Sequence, residues 1–555
     1  AAAVSFSLLE ARTLTPMRTS RFLEARSVHG GLTGLVDRWM RAARDGYGRL
    51  LVRLLAWRWT VVGSALILFA LSLLLVGRIP KEFVPSQDQS RFMLRLKTPV
   101  GSSMEFTDAK FKEAEAWLLK HPALQKYFCA VGGFGGGEVN TGMMFVTLKA
   151  PRERPKGPKG KRWTQAEVMS DARKALNGLG NVRAVAVDLS QGGFGGSRGF
   201  PVEMSLRGPD WETLVALSRS LQGRMEASGL MTDVDSDYQS GMPEVRVLPH
   251  REQAYARDVS VDSIGTVINA MVGGVRAGYI TRGGRRYDVR VRAELPDRVG
   301  PENIGRYSVR NSQGEMIRLS DVVRVEERTT LLSITRKNRE RAIGLTANVA
   351  SGKSQAQALA AVEALAKALL PPGYRLVRSG SAATFKDSSE SLVFAMIMGI
   401  GVAYMVLGSQ FNSFIHPLTV LLALPFSVTG ALLALWLGGF SLNIYSMIGL
   451  ILLMGIVKKN SILLVDFVTQ RRNEGLPLAR AILEACPTRL RPIIMTSAST
   501  IAAALPPALA LGPGAETRIP MAVAVIGGML VSTILTLFVV PCAYSLLAPL
   551  ERRRD

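Results

Sequence analysis

Long apolar runs separated by short polar loops form the most regular pattern in the chain. Six of them approach or exceed the roughly 20 helical residues needed to cross the hydrocarbon core of a bilayer. They lie at 59–77, 391–408, 417–437, 443–468, 492–511 and 519–547. A shorter apolar stretch at 4–9 precedes them, and we interpret it as the end of another spanning helix. The close succession of the last five runs favours a membrane bundle of six complete helices over the buried helices of a soluble protein.

Basic residues in the short loops orient the predicted bundle. Arginines are concentrated in 12–58, in 471–491 and in the C-terminal tail. By contrast, the loops 438–441 and 512–518 together hold a single basic residue, Arg518. Cytoplasmic loops of membrane proteins are enriched in Lys and Arg, so we predict that the arginine-rich side is cytoplasmic and that both chain ends lie there.

This orientation divides the chain into five predicted segments. They are 1–54, the end of a truncated spanning helix followed by a cytoplasmic amphipathic segment; 55–77, a spanning helix; 78–388, a domain on the outer face; 389–548, a bundle of five spanning helices; and 549–555, a cytoplasmic tail. The amphipathic part, 32–55, is predicted to lie along the membrane surface.

The outer segment repeats a small strand-and-helix unit. Alternating apolar and polar residues predict strands at 91–97, 143–148, 183–189, 202–206 and 342–349. Capping boxes, in which a Ser or Thr is followed three residues later by Glu, are predicted to open helices at Ser102 and Thr164. Repeated βαβ units predict an α+β domain of ferredoxin-like subdomains at about 88–243 and 336–380, with a β-rich domain inserted at 244–335.

The composition raises three other classes of protein that the distribution of residues does not favour. A net charge of +24 suggests nucleic-acid binding, but the positive-inside pattern accounts for it. Three cysteines and four histidines are scattered along the chain, so neither a disulfide framework nor a metal cluster is predicted. The segment Ala350–Ser354 resembles a phosphate-binding loop but lacks the required glycine at position 347. With no nucleophile–base pair either, we do not expect an enzyme or a bound cofactor.

Two lysines interrupt the fourth complete apolar run. Lys458 and Lys459 are followed by Asn460. A charged residue near mid-membrane costs roughly 2.5–3.5 kcal/mol on insertion scales, so an amine there is a functional candidate that needs a carboxylate partner. In the next run, the hydroxyl of Thr496 either bonds back to its own helix or bridges groups in a proton path.

Glycine-rich segments at 132–137 and 192–196 leave two interpretations open. Each is either a flexible connection or a mobile loop that presents one aromatic residue, Phe134 or Phe194, to an apolar ligand.

Several motifs together resemble the C-terminal half of permeases of the resistance-nodulation-division family, in its multidrug branch. They include GSQFNSFIHPLT from Gly408, GIVKKNSILLVDF from Gly455, RLRPIIMTS from Arg489 and NTGMMFVTLK from Asn140. The resemblance implies a proton-driven efflux pump for hydrophobic or amphiphilic compounds. It also implies a homotrimer in the inner membrane of a Gram-negative cell, with the outer segment in the periplasm, a periplasmic adaptor and an outer-membrane channel. The relay aspartates belong to the N-terminal half of such pumps, and protons are the coupling ion.

The resemblance also implies roles for individual residues. Lys459 matches the relay lysine, with Thr496 and Arg489 at the polar positions of the next helix. The substrate-binding positions are Phe134, Phe145, Gly136 and Cys129; the last two stand where further aromatic residues are common.

The alternative function is that of an auxiliary of protein export from the same superfamily. The stretch 244–335 favours the pump, because it resembles the docking (funnel) domain of efflux permeases.

Overall fold

The computed structural model describes residues 2–22, 32–132, 138–157, 160–191, 199–331, 333–510 and 515–550. Contacts divide the chain into a helical unit, Ala1–Pro80 with Ser388–Asp555, and a sheet unit, Lys81–Asp387. The helices are α1 (Ala2–Arg12), α2 (Leu14–Phe22), α3 (Leu32–Ala56), α4 (Arg58–Arg78), α5 (Met104–Lys120), α6 (Gln165–Asn177), α7 (Trp211–Ala227), α8 (Arg251–Ala256), α9 (Val261–Ile268), α10 (Gln355–Leu369), α11 (Gly380–Phe411), α12 (Ile415–Leu421), α13 (Ala423–Leu437), α14 (Ile444–Asn473), α15 (Leu478–Ala508) and α16 (Arg518–Leu547). The strands are β1 (Arg91–Lys97), β2 (Leu124–Val131), β3 (Thr141–Leu148), β4 (Arg183–Val187), β5 (Val202–Gly208), β6 (Met231–Ser236), β7 (Ser240–Pro249), β8 (Val275–Arg282), β9 (Arg285–Val291), β10 (Ser308–Arg310), β11 (Met316–Arg318), β12 (Val323–Leu331), β13 (Arg336–Lys337), β14 (Glu340–Val349) and β15 (Arg375–Arg378).

In the described part of the chain, five helical stretches are long and apolar enough to cross a membrane. They are Arg58–Arg78, Gly380–Phe411, Ile415–Leu437, Ile444–Asn473 and Ala515–Leu550, and each coincides with a predicted run. The remaining run, 492–511, lies mostly in α15, where prolines and hydroxyl residues interrupt the apolar sequence. A membrane helical domain is therefore supported, and the count of six complete spans stays a prediction.

Close helix packing holds the helical unit together around α16, which contacts α13, α14 and α15. At the crossing with α13, a methyl group on Gly430 would lie 2.4 Å from the carbonyl oxygen of Gly527, so only glycine fits there. The predicted amphipathic segment forms α3, which docks on the same unit. The buried Tyr47 of α3 donates a hydrogen bond of 2.6 Å to the carbonyl oxygen of Leu537, and Asp37 accepts one of 3.0 Å from Arg491.

The sheet unit contains two sheets that each carry helices. The first sheet has the strand order β2-β3-β1-β4 and is antiparallel, with α5 and α6 packed on one face. The second has the order β13-β14-β5-β15, with β6 also paired to β14, and α7 and α10 packed on it. The stretch 240–331 forms three two-stranded ribbons instead, β7–β12, β8–β9 and β10–β11.

One predicted capping box is confirmed and the other is wrong by one residue. Thr164 and Glu167 exchange hydrogen bonds at the start of α6, as the box requires. At α5 the capping residue is Ser103, whose Oγ accepts a hydrogen bond from the N–H of Phe106 at 3.2 Å. Ser102 is occupied in the preceding turn, because its hydroxyl donates to the carbonyl oxygen of Pro99 at 2.7 Å.

Candidate functional sites

Lys459 lies on an exposed stripe of α14. Ile448, Leu452, Gly455 and Lys459 are all exposed, and their spacing of four, three and four residues places them on one helix face. No described residue forms a hydrogen bond or ion pair with the Lys459 side chain. An amine facing lipid tails at this point would be expensive. This face of α14 therefore suits contact with protein or water rather than with hydrocarbon.

Gly455 precedes Lys459 by one turn on the same stripe. A methyl group added to it would meet no atom within 4 Å in this chain. Small residues let helix backbones approach closely in membranes. The stripe thus combines a position for close helix contact with a charge that needs a partner.

The residue after Lys459 has the opposite environment. Asn460 is 2% exposed, and its Nδ2 donates a hydrogen bond of 3.3 Å to Oγ of Ser497 on α15. Ser497 Oγ in turn lies 2.9 Å from Oγ1 of Thr533 on α16, which donates to the carbonyl oxygen of Met529. These neutral groups link three helices. Sequence reasoning missed this chain, although Asn460 and Ser497 directly follow two of the predicted residues.

Thr496 and Arg489 lie on α15 but contact other groups. Thr496 donates its hydroxyl to the carbonyl oxygen of Ile493 at 3.1 Å, which is the back-bonded alternative left open by the sequence. The guanidinium carbon of Arg489 lies 4.3 Å from the ring centroid of Phe467. Phe467 follows Lys459 by eight residues (467 − 459), about 12 Å along α14. No hydrogen bond or ion pair between described atoms joins Lys459, Thr496 and Arg489.

A second candidate site is the open face of the first sheet, opposite α5 and α6. Cross-strand pairing aligns Phe128, Phe145, Met93 and Val187 in one row across all four strands. Exposure rises along this row, from 1% at Val187 to 55% at Phe128. The rings of Phe128 and Phe145 are 6.5 Å apart between centroids, within the range of favourable aromatic contact. The Phe128–Phe145 end of the row presents apolar, polarisable surface for a flat or flexible apolar ligand, whereas Val187 at the other end is buried against Phe200.

Cys129 does not belong to this face. It pairs with the fully buried Met144, so its side chain points toward the core under α5 and α6. Burial raises the pKa of the Cys129 thiol to about 12, and the nearby carboxylate of Glu115 adds to the shift. The thiol is therefore protonated and packed rather than presented to a ligand. Alternation of side chains along β2 explains the correction, because adjacent residues point to opposite faces.

Three of the predicted residues lie outside the described residues. They are Phe134 and Gly136 of the first glycine-rich segment and Phe194 of the second.

The sheet unit also contains a groove of about 810 Å³ that is lined by both polar and apolar groups. Among its lining residues, Arg173 forms a salt bridge of 2.8 Å with Asp233 nearby, and Asp188 accepts a hydrogen bond from Gln165. Burial raises the pKa of the Asp188 carboxyl, and hydrogen bonds from Ser190 partly offset this rise. Its polar groups are largely paired, so the aromatic row is the better surface for an apolar compound.

Comparison with known proteins agrees with this division into apolar helices and a sheet-rich insert. A family model described as the AcrB/AcrD/AcrF family matches residues 1–548. A multidrug resistance protein MdtC of Edwardsiella ictaluri is 32% identical over 567 aligned residues, covering 100% of this chain and 53% of that protein. The MdtC proteins of Escherichia coli and Erwinia amylovora are 30% and 31% identical, with 98% of this chain and 52% of each relative covered. The chain thus spans about half the length of the curated relatives it matches.

Proposed function

The chain belongs to the AcrB/AcrD/AcrF family, as its resistance-nodulation-division motifs predicted, and from this membership we propose that it acts in proton-driven efflux. It supplies the C-terminal half of a permease that exports hydrophobic or amphiphilic compounds. The name that these relatives carry, multidrug resistance protein, supports this substrate class.

The observation that carries the proposal is the position of Lys459 on the exposed stripe of α14. An amine in an apolar helix is tolerable when it is paired with a carboxylate, and this stripe offers the space for a helix that brings one. The carboxylate belongs to the N-terminal half of the pump, outside this chain. When a proton reaches it, the ion pair is lost, and Lys459 is released toward other polar groups.

Thr496 and Arg489 complete the proposed relay on α15. Thr496 is one residue from the Asn460–Ser497–Thr533 chain, so movement of Lys459 reaches helices that are already linked. A change of side-chain pairing inside the bundle then shifts helices, which is a local electrostatic event with a distant effect.

Substrates bind at the open face of the first sheet in this proposal. Phe145 and Phe128 supply the aromatic surface. Phe134 and Gly136, which lie outside the described residues, are further proposed substrate-binding residues. The first and second sheets are ferredoxin-like porter subdomains, and the ribbons of 240–331 form the docking subdomain.

The proposed assembly is a homotrimer in the Gram-negative inner membrane. The sheet unit lies in the periplasm, where it meets an adaptor and an outer-membrane channel. The arginine-rich end of the helical unit lies in the cytoplasm. No second function is favoured by a specific feature of the described residues over this one.

The coupling role is tested by removing the charge of Lys459 in the complete protein. Lys459→Met retains length and apolar packing, so the variant should insert and assemble normally. With an imposed proton gradient in reconstituted vesicles, we expect export to be abolished. The control is Lys458→Met, which lies about 100° round the helix and should retain most of the activity. Normal export by Lys459→Met would contradict the relay assignment.

The substrate surface is tested by replacing two neighbouring residues that lie on opposite faces of the first sheet. Phe145→Ala should lower export of apolar compounds several-fold without changing proton leak, because it removes the centre of the aromatic row. Cys129→Ser should leave export close to the original level, since its side chain points into the core. Equal losses in both variants would show that fold stability, not ligand contact, is measured.

A further inference from the structure

The helix α3 packs against the rest of the helical unit along one side only. Tyr47 and Leu51 are buried against α15 and α16. Gly48 brings α3 close to α15, with Pro487 at 3.7 Å from the position of an added methyl group. The rest of its circumference is open in this chain.

The open side of α3 has two sectors of different chemistry. At 100° per residue, three exposed apolar residues fall in one sector: Leu35, Trp39 and Leu50, with exposures of 61%, 59% and 42%. We call this sector the apolar flank. The adjacent sector contains four exposed arginines, which we call the arginine face: Arg38, Arg41, Arg49 and Arg53. The exposed Asp45 and Val52 lie in the same sector, which keeps a net positive charge, and Arg53 lies at its boundary with the apolar flank.

The guanidinium groups of the arginine face are almost unused within the protein. Among the described residues, the one carboxylate within 4 Å of these groups is Asp37, which lies 3.9 Å from Arg41 and is already bound to Arg491. Arg38 and Arg49 only donate to carbonyl oxygens of their own helix, at 3.4 Å each. Four cations on one face of a helix repel one another unless anions approach them.

Aromatic residues place α3 at the level of lipid headgroups. Trp57 and Trp59 flank the start of α4, a membrane-capable helix, and are 69% and 74% exposed. Trp side chains are enriched where spanning helices meet the interface. Because α3 ends at Ala56, directly before these residues, the Leu50 end of its apolar flank lies close to the same interface.

We propose that α3 is a binding surface for anionic phospholipid headgroups. The apolar flank inserts among the upper acyl chains, and the arginine face binds the phosphates of lipids with net negative charge. Guanidinium groups bind phosphate oxygens in a bidentate manner, which makes arginine well suited to this role. Each basic residue near an anionic surface strengthens binding by roughly fivefold, so four of them select anionic over zwitterionic lipid strongly. The proposal requires membrane insertion but does not depend on transport.

The test measures which lipids the purified chain retains. The chain is reconstituted in vesicles of equal phosphatidylglycerol and phosphatidylcholine with matched acyl chains, re-extracted in mild detergent and purified, and the bound lipids are quantified. We expect phosphatidylglycerol to be enriched about fivefold or more at low salt. Because ions screen such contacts, enrichment should fall sharply at about 0.5 M salt.

Matched variants separate the arginine face from net charge. Changing Arg38, Arg41, Arg49 and Arg53 together to Gln should return the retained lipid to the input ratio. The same four changes on the exposed β8–β9 ribbon and its end, Arg282, Arg285, Arg290 and Arg292 to Gln, remove equal charge from the sheet unit and should leave the enrichment intact.

A variant with lysine at all four positions of the arginine face shows whether substitution there disturbs the fold. It keeps the positive charge, so it should keep most of the enrichment. The proposal is overturned if the native chain retains both lipids equally. It is also overturned if the ribbon variant loses as much enrichment as the α3 variant, or if the glutamine variant of α3 keeps the native enrichment while remaining folded.

Discussion

Buried polar groups differ in charge between the two units of the molecule. In the sheet unit they include charged side chains, and the best-paired of these is Arg154. The Arg154 side chain is fully buried and donates to both carboxylate oxygens of Asp88, at 2.5 and 2.6 Å, as well as to Ser90 at 2.8 Å. In the helical unit the described contacts that join helices through buried polar groups are mostly neutral, such as Asn460 with Ser497.

Lys459 fits neither pattern, because it is a charged residue of an apolar helix that is exposed in this chain rather than buried. Burying a charge is tolerated when a partner and further hydrogen bonds compensate for lost hydration. Arg154 has such partners inside its own unit, and Lys459 has none among the described residues. A charge retained in an apolar helix without local compensation is a mark of a site whose partner lies elsewhere.

The largest loss of folding stability in this comparison is expected when Arg154 is replaced. Arg154→Met leaves Asp88 facing buried N–H groups without its counter-ion. We expect a loss of about 3 kcal/mol in the free energy of unfolding, the lower end of values for a broken buried pair. Denaturant unfolding of the purified chain, followed by tryptophan fluorescence, measures it. Arg152→Met is the control, since Arg152 is exposed and should change stability little.

The same ion pair predicts that folding stability decreases at acid pH. Burial raises the pKa of the Asp88 carboxyl, but hydrogen bonds and charge from Arg154, with N–H groups of Gln165 and Ser90, outweigh it, so the pKa is lowered. A carboxyl with a lowered folded pKa stabilises the fold above its unfolded pKa of about 4, and this is lost as pH falls through the folded value. Stability should therefore fall in that acid range, less steeply in Arg154→Met. An identical slope in both proteins would contradict this account.

Sequence reasoning anticipated the elements better than the positions of side chains. Apolar runs located five membrane-capable helices because hydropathy depends on composition, whereas the mixed sequence of α15 leaves the sixth span a prediction. The Thr164 box was found because both partners are local, and the Ser102 box failed because a turn competed for the hydroxyl.

The candidate sites were harder to predict because they depend on which face each residue occupies. Lys459 and Asn460 are adjacent in sequence, yet one is exposed and the other joins three helices. Phe145 was found through family resemblance, and Cys129 was included with it although the two lie on opposite faces of the sheet. Registers between strands and contacts between helices decide such questions, and neither is encoded in local sequence patterns.

The smallest expected effect concerns the neutral chain between α14 and α15. Hydrogen bonds between membrane helices contribute about 0.6 kcal/mol on average, because polar groups of the unfolded state in a membrane also find partners. Asn460→Leu and Ser497→Ala should each cost about 1 kcal/mol or less, including the loss of packing. Because both remove the same hydrogen bond, the double variant should be less destabilised than the sum of the two, by about 0.6 kcal/mol. Unfolding of the three variants in mixed detergent and denaturing micelles gives this coupling.

Thr496→Val is the matched control, since its hydroxyl bonds only within its own helix, and it should show no coupling to Asn460→Leu. A coupling as large as the loss at Arg154 would mean that neutral and charged groups are equally important to stability in the two units, and the contrast between them would not hold.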